Sequence, residues 1–131
     1  MGQEIADFRD LEAWKHCREI RQAMWELCRE FPNDERFRLS DQIIRASRSS
    51  TACIAEGYGR FHYKENMQFC RQARGSLYEL IDHITAAVDC GYVNREQAEV
   101  IIGDVTNAVK VLNGHIRFLK KQKEKALTNN N

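Results

Sequence analysis

In residues 94–119, NREQAEVIIGDVTNAVKVLNGHIRFL, the side chains of Ala98, Ile101, Val105, Ala108, Leu112, His115 and Leu119 recur at steps of three and four. That spacing gathers them on one side of a helix. A near-heptad repeat sustained over this length is the pattern by which antiparallel helices pack into bundles. Asn94, with Gln97 three residues on, resembles a capping box and marks where the helix opens.

Three further stripes lie upstream. Phe8, Leu11, Trp14, Cys17, Ile20, Met24, Leu27 and Phe31 line a first helix, with Asp10 placed to cap it and Pro32 to end it. A second helix is predicted from about Phe37 to Tyr58, with Leu39, Ile43, Ser47, Ser50, Ile54 and Gly57 facing inward. Those side chains are mostly small, so a neighbouring helix can come close. Gly57 and Gly59 then offer positions for a turn with positive φ. The third stripe, from about Lys64 to Cys90, is Met67, Cys70, Ala73 or Arg74, Leu77, Ile81, Ile84 and Val88, and Gly91 follows as a C-terminal cap.

Connections near residues 32–36, 59–63 and 91–93 are too short for anything but antiparallel neighbours. The fold class is therefore all-α, an up-down-up-down four-helix bundle forming one domain over residues 1–131. A polar tail, from about residue 121 to 131, is expected to be frayed. The buried seam is expected to include Trp14, Ile43, Ile54, Leu77, Ile81, Ile101, Val105 and Leu112. At 131 residues the chain can bury a sizeable core without metal or disulfide staples. One proline and seven glycines leave few places to break long helices.

The five cysteines are an odd number with no Cys-x-x-Cys among them, which argues for free thiols packed as small apolar residues in a reducing compartment, the cytoplasm. Met1 to Asp10 lacks the pattern of a secretory signal, and no apolar run approaches a membrane span.

The usual bundle chemistries find no support. A di-iron site needs Glu-x-x-His pairs, and none occurs; Glu12 with His16 and Glu79 with His83 are spaced by four and suit surface hydrogen bonds. Gly57 and Gly59 lack the lysine and helix start of a phosphate loop. Ser47, Ser49, Ser50 and Thr51 sit inside a helix, without the strained elbow of a nucleophile. No catalytic residue, cofactor, metal or small-molecule substrate is expected.

The formal net charge is only +1, yet its distribution is uneven. Residues 94–131 hold seven Lys or Arg against four acids, whereas residues 1–31 hold five against seven. On the second helix Arg38, Arg45 and Arg48 fall at about 220°, 200° and 140° from Ile43, opposite the inward stripe. Such a stripe suits a phosphate backbone because the guanidinium offers paired donors. Arg117, Lys120, Lys121, Lys123 and Lys125 extend the basic character at the carboxyl end. The competing interpretation is a solvated outer face, partly neutralised by Asp41. Trp25, at the edge of the first stripe, and the aromatics Tyr58, Phe61 and Tyr63 suit either core packing or contact with another subunit.

Four runs together carry a family resemblance: Asp10-Leu11-Glu12-Ala13-Trp14, then Leu39 with Gln42, Ile43, Arg45 and Ala46, then Ile54-Ala55-Glu56-Gly57-Tyr58-Gly59-Arg60, and Gly75-Ser76-Leu77-Tyr78-Glu79-Leu80. From Phe8 to Leu119 the chain resembles the four-helix-bundle proteins encoded in intervening sequences of bacterial 23S ribosomal RNA genes. The resemblance implies a protomer that assembles into a five-membered ring. It also implies a relation to accessory proteins of diversity-generating reverse transcriptases, which bind nucleic acid. No enzymatic activity is attached to the family. The chain departs from the family pattern at Cys53 (commonly asparagine), Thr51 (commonly proline) and Ile44 (often basic); lacking that proline, the second helix should keep its hydrogen bonds complete.

The leading expectation is thus a non-enzymatic homopentameric scaffold that binds structured RNA or a reverse transcriptase through Arg38, Arg45, Arg48, Arg117, Lys120, Lys121 and Lys123. A protein-interaction module without nucleic-acid binding is the alternative, and a bundle enzyme or metal protein a weaker one. Gln42, Arg45, Glu56, Ser76 and Glu79 are further expected to supply a hydrogen-bonded polar cluster between the second and third helices.

Overall fold

The computed structural model describes residues 4–129. Met1, Gly2 and Gln3, part of the amino-terminal segment read above, and Asn130 and Asn131, the end of the expected tail, lie outside the described residues. The described residues form four helices, α1 (Glu12–Cys28), α2 (Leu39–Gly59), α3 (Tyr63–Asp89) and α4 (Arg95–Asn129), with single 3-10 turns at Phe8–Asp10 and Asn33–Glu35. Among the described residues there is no strand. Each helix packs on its sequence neighbour and α1 closes on α4, so α1 and α3, like α2 and α4, stand diagonally. This is the up-down-up-down bundle expected from the stripes.

The inward face of α2 is the predicted one: Leu39, Ile43, Ser47, Ser50, Ile54 and Gly57 are all buried. Its hydroxyls are satisfied within the helix, Ser47 Oγ donating to the Ile44 carbonyl at 2.9 Å and Ser50 Oγ to that of Ser47 at 2.7 Å. Buried hydroxyls without such acceptors would cost about 1–3 kcal/mol each. Thr51 spans two helices: it donates to the Arg48 carbonyl at 2.9 Å and accepts from Arg21 of α1 at 3.0 Å. As expected without a proline at this position, α2 runs unbroken from Leu39 to Gly59.

In α3 the stripe takes a different flanking row from the one expected. Met67, Cys70, Ala73, Leu77 and Ile84 are buried as expected, but the positions expected at Ile81 and Val88 pass to Leu80 and Ala87. The buried set keeps a strict seven-residue repeat, with Cys70, Leu77 and Ile84 flanked by the row Ala73, Leu80 and Ala87 rather than by Arg74, Ile81 and Val88; both rows lie beside that stripe on a helix, so spacing alone left either open. In α4, Ile116 and Val109 join Ala98, Val105, Ala108, Leu112 and Leu119, while Ile101 and His115 are only partly covered.

Three helix ends differ from expectation. Asp10 does not cap α1; its carboxylate accepts from the Ala6 amide at 2.8 Å, and α1 starts one residue later, behind Leu11, which makes no side-chain cap. Neither Gly57 nor Gly59 has positive φ, and the turn between α2 and α3 is made by Phe61 with φ at 60°. Gly57 serves a close approach instead, since a β-carbon there would lie 2.9 Å from both Asn66 Oδ1 and Phe69 Cβ. Gly91, with φ at 79°, does end α3 as predicted: the Tyr92 amide bonds to the Ala87 carbonyl and the Gly91 amide to that of Val88, both at 2.9 Å. These are the two bonds of a Schellman cap. Asn94 Oδ1 accepts from the Gln97 amide at 2.7 Å and opens α4.

The segment from residue 121 onward is not an irregular tail as far as Asn129, because α4 continues through it. At about 1.5 Å per residue α4 is about 52 Å long, twice the roughly 26 Å of α1.

Candidate nucleic-acid interface

Arg38, Arg45 and Arg48 are all exposed, at the start and in the first half of α2. They do not act as one stripe. Arg38 precedes the helix and its amide closes the preceding turn on the Glu35 carbonyl at 2.9 Å. Arg45 points outward and pairs with Asp41 at 3.6 Å, with most of its side chain in water. Arg48 leans towards α1, where its guanidinium lies 5.6 Å from the centre of the Trp25 ring.

That lean opens onto a groove of about 510 Å³ between α1 and α2, walled by Trp25, Arg29, Arg36, Phe37, Asp41 and Arg48 above Phe31 and Pro32. The Arg36 guanidinium sits 5.3 Å over the Phe37 ring. A second groove, with Arg21, Trp25, Ile44 and Arg48, continues it along the helices. Four arginines therefore face two carboxylates, and both carboxylates are engaged, Glu26 by Arg29 at 3.4 Å and Asp41 by Arg45. Arg36 and Arg48 have no carboxylate within ion-pair distance among the described residues. Ile44 contributes apolar lining to both grooves.

Arg21, Arg29, Arg36 and Phe37 were absent from the candidates read from the sequence. A signal for two of them exists there: Arg21, Trp25 and Arg29 are spaced by four, which puts them on one face of α1. Nothing comparable marks Arg36 and Phe37, because the connection that carries them has no periodicity.

Arg117, Lys120 and Lys121 are exposed on α4, and Lys123 is half-buried. They lie in the carboxyl-terminal part of a helix that runs parallel to α2 and diagonally opposite it. A single protomer thus keeps the two basic sets apart, at opposite ends and on opposite edges. The expected polar cluster between α2 and α3 does not form. Glu56 pairs with Arg60 at 3.5 Å and Glu79 with His83 at 3.1 Å, each along its own exposed helix face, and Gln42 is exposed. Only Ser76 crosses, donating to Ser49 Oγ at 2.9 Å. Long side chains on an outward face find partners one turn away more cheaply than across a seam too tight to admit them.

Glu12 pairs with Lys15 at 3.6 Å. No group of three or more His, Cys, Asp or Glu side chains is placed to hold a metal ion among the described residues. No helix among them is long and apolar enough to cross a membrane.

Comparison with known proteins fits this architecture. The sequence profile of the 23S rRNA-intervening sequence protein family matches residues 9–114. A solved structure from Bacteroides thetaiotaomicron, described as a protein with unknown function from the S23 ribosomal protein family, superposes with a TM-score of 0.73 at 24% identity, covering 79% of this chain and 97% of that one. At that identity the likeness speaks for the fold. No curated protein sequence matches the chain. Neither description names an enzymatic activity. The match runs from the turn before α1 into the second half of α4, and the chain belongs to the 23S rRNA-intervening sequence protein family.

Proposed function

We propose that the protein is a non-enzymatic, cytoplasmic, homo-oligomeric scaffold, pentameric as its family resemblance implies, that binds RNA or an RNA-bearing enzyme such as a reverse transcriptase. The observation that carries this reading is the arginine-walled groove between α1 and α2, where Arg36 and Arg48 have no carboxylate partner among the described residues. A ring assembly would suit this reading. The protomer's two basic sets are separated, and repetition would multiply phosphate contacts, on whose number affinity depends steeply.

Size-exclusion with light scattering, followed by RNA titration at two salt concentrations, tests the proposal. A ring-forming oligomer should bind RNA with marked salt dependence. The double substitution Arg45→Ala and Arg48→Ala should weaken binding and flatten the slope of log affinity against log salt by about one unit per lost contact. A monomer indifferent to RNA at low salt overturns it in favour of a protein-interaction module.

A further inference from the structure

Granting that the α1–α2 groove is where RNA binds, we propose that it takes unpaired nucleotides, with bases stacked on Trp25 and Phe37 and their phosphates held by Arg29, Arg36 and Arg48. A surface that only neutralised a duplex backbone would need charge alone. This one interleaves charge with aromatic rings: Trp25 is 49% exposed and Phe37 is 84% exposed, although each has an arginine over its ring. The arginine restrains the ring while leaving much of its surface open, so a base arriving there would complete an arginine-aromatic-base stack.

The geometry favours this occupant over a paired helix. The bases of an A-form duplex are stacked on one another and cannot reach a side-chain ring, whereas loops, bulges and single strands can splay a base onto it. It also favours nucleic acid over a protein strand or helix: the walls bring four arginines against two carboxylates that are already paired within the chain. The groove, about 510 Å³, falls within the range of sites that enclose small planar groups. Its continuation past Arg21 lets a strand run on along the α1–α2 seam.

The test is fluorescence anisotropy of the full chain with a labelled 12-nucleotide RNA lacking self-structure, and with the same strand in a blunt duplex. The single strand should bind more tightly and quench Trp25, because the other tryptophan, Trp14, is buried. Trp25→Leu should weaken single-strand binding by about 5- to 150-fold, the loss of one stacked base, without changing the salt slope or the duplex affinity. Trp25→Phe should restore most of that loss. Phe37→Leu, at a position outside the helices, should act in the same direction without threatening the fold. If Trp25→Leu and Phe37→Leu bind the single strand like the parent while the arginine substitutions still weaken binding, the stacking proposal fails and the phosphate reading survives. If neither RNA binds at low salt, both fall.

Discussion

Gly57 on α2 faces Phe69 on α3 so closely that a β-carbon on the glycine would lie 2.9 Å from the Phe69 Cβ. Atoms of the helix itself cannot yield there as the tip of a side chain could. Gly57→Ala should therefore destabilise the bundle by about 1–3 kcal/mol, the usual cost of overpacking. Gly103, on α4, has nothing within 4 Å of the equivalent point, and Gly103→Ala should stabilise by about 0.5–1 kcal/mol through helix propensity. Urea denaturation of the two variants checks the contrast, and equal midpoints would remove the close approach.

Phe61 holds φ at 60° while 87% of its surface is exposed. A side chain in the left-handed region costs about 1–2 kcal/mol, and here no packing repays it. Phe61→Gly should raise stability by about 0.5–1 kcal/mol after the greater entropy of glycine in the unfolded chain is subtracted. A rise in thermal midpoint is the expected result.

His115 has a buried Nε2 with no hydrogen-bond partner, and its ring stacks on Phe118 with centroids 6.2 Å apart. Burial holds its pKa below the ordinary histidine value. The unfolded chain therefore takes up this proton at higher pH than the folded one. The stability this residue supports is complete above about pH 6.5 and declines as pH falls through and below that value. Stability measured at pH 8 and pH 5 should drop less in His115→Leu than in the parent. An equal drop would show that His115 is not the group that titrates.

The thiols should react in two classes. Burial pushes Cys17 and Cys28 up to about 11 and Cys70 up to about 12, which leaves little thiolate at neutral pH. Cys90 is exposed. A thiol reagent should modify Cys90 promptly in the native protein and Cys17 and Cys70 only after denaturant is added.

Much of this architecture was legible because it depends on period. The six inward residues of α2 follow from spacing, and the caps at Gly91 and Asn94 from the backbone freedom of glycine and the acceptor of asparagine. Where the reading slipped, the cause was local: the seam of α3 takes Leu80 rather than Ile81 because both rows flanking Cys70, Leu77 and Ile84 fit the same repeat, and the turn uses Phe61 although two glycines stand nearby. Less of the candidate site was visible. Arg45 and Arg48 are exposed on α2, but Arg38 lies before the helix, and spacing within one helix cannot tell which neighbour each side chain faces. Arg48 meets Trp25 across a gap of 23 positions in the chain, and Arg36 and Phe37 come from a connection without repeat.

The order of the seams bears on how the chain assembles. Three of the four join consecutive helices through connections of three to ten residues, so most contacts are local and folding should be rapid, in the microsecond to millisecond range. The fourth, between α1 and α4, closes a loop that spans nearly the whole chain and carries the largest entropy of closure. Zippering hairpin by hairpin and docking that seam last is the route of least entropy. The reverse route releases the two outermost helices from each other first, leaving the α2–α3 pair as the kinetic heart of the molecule.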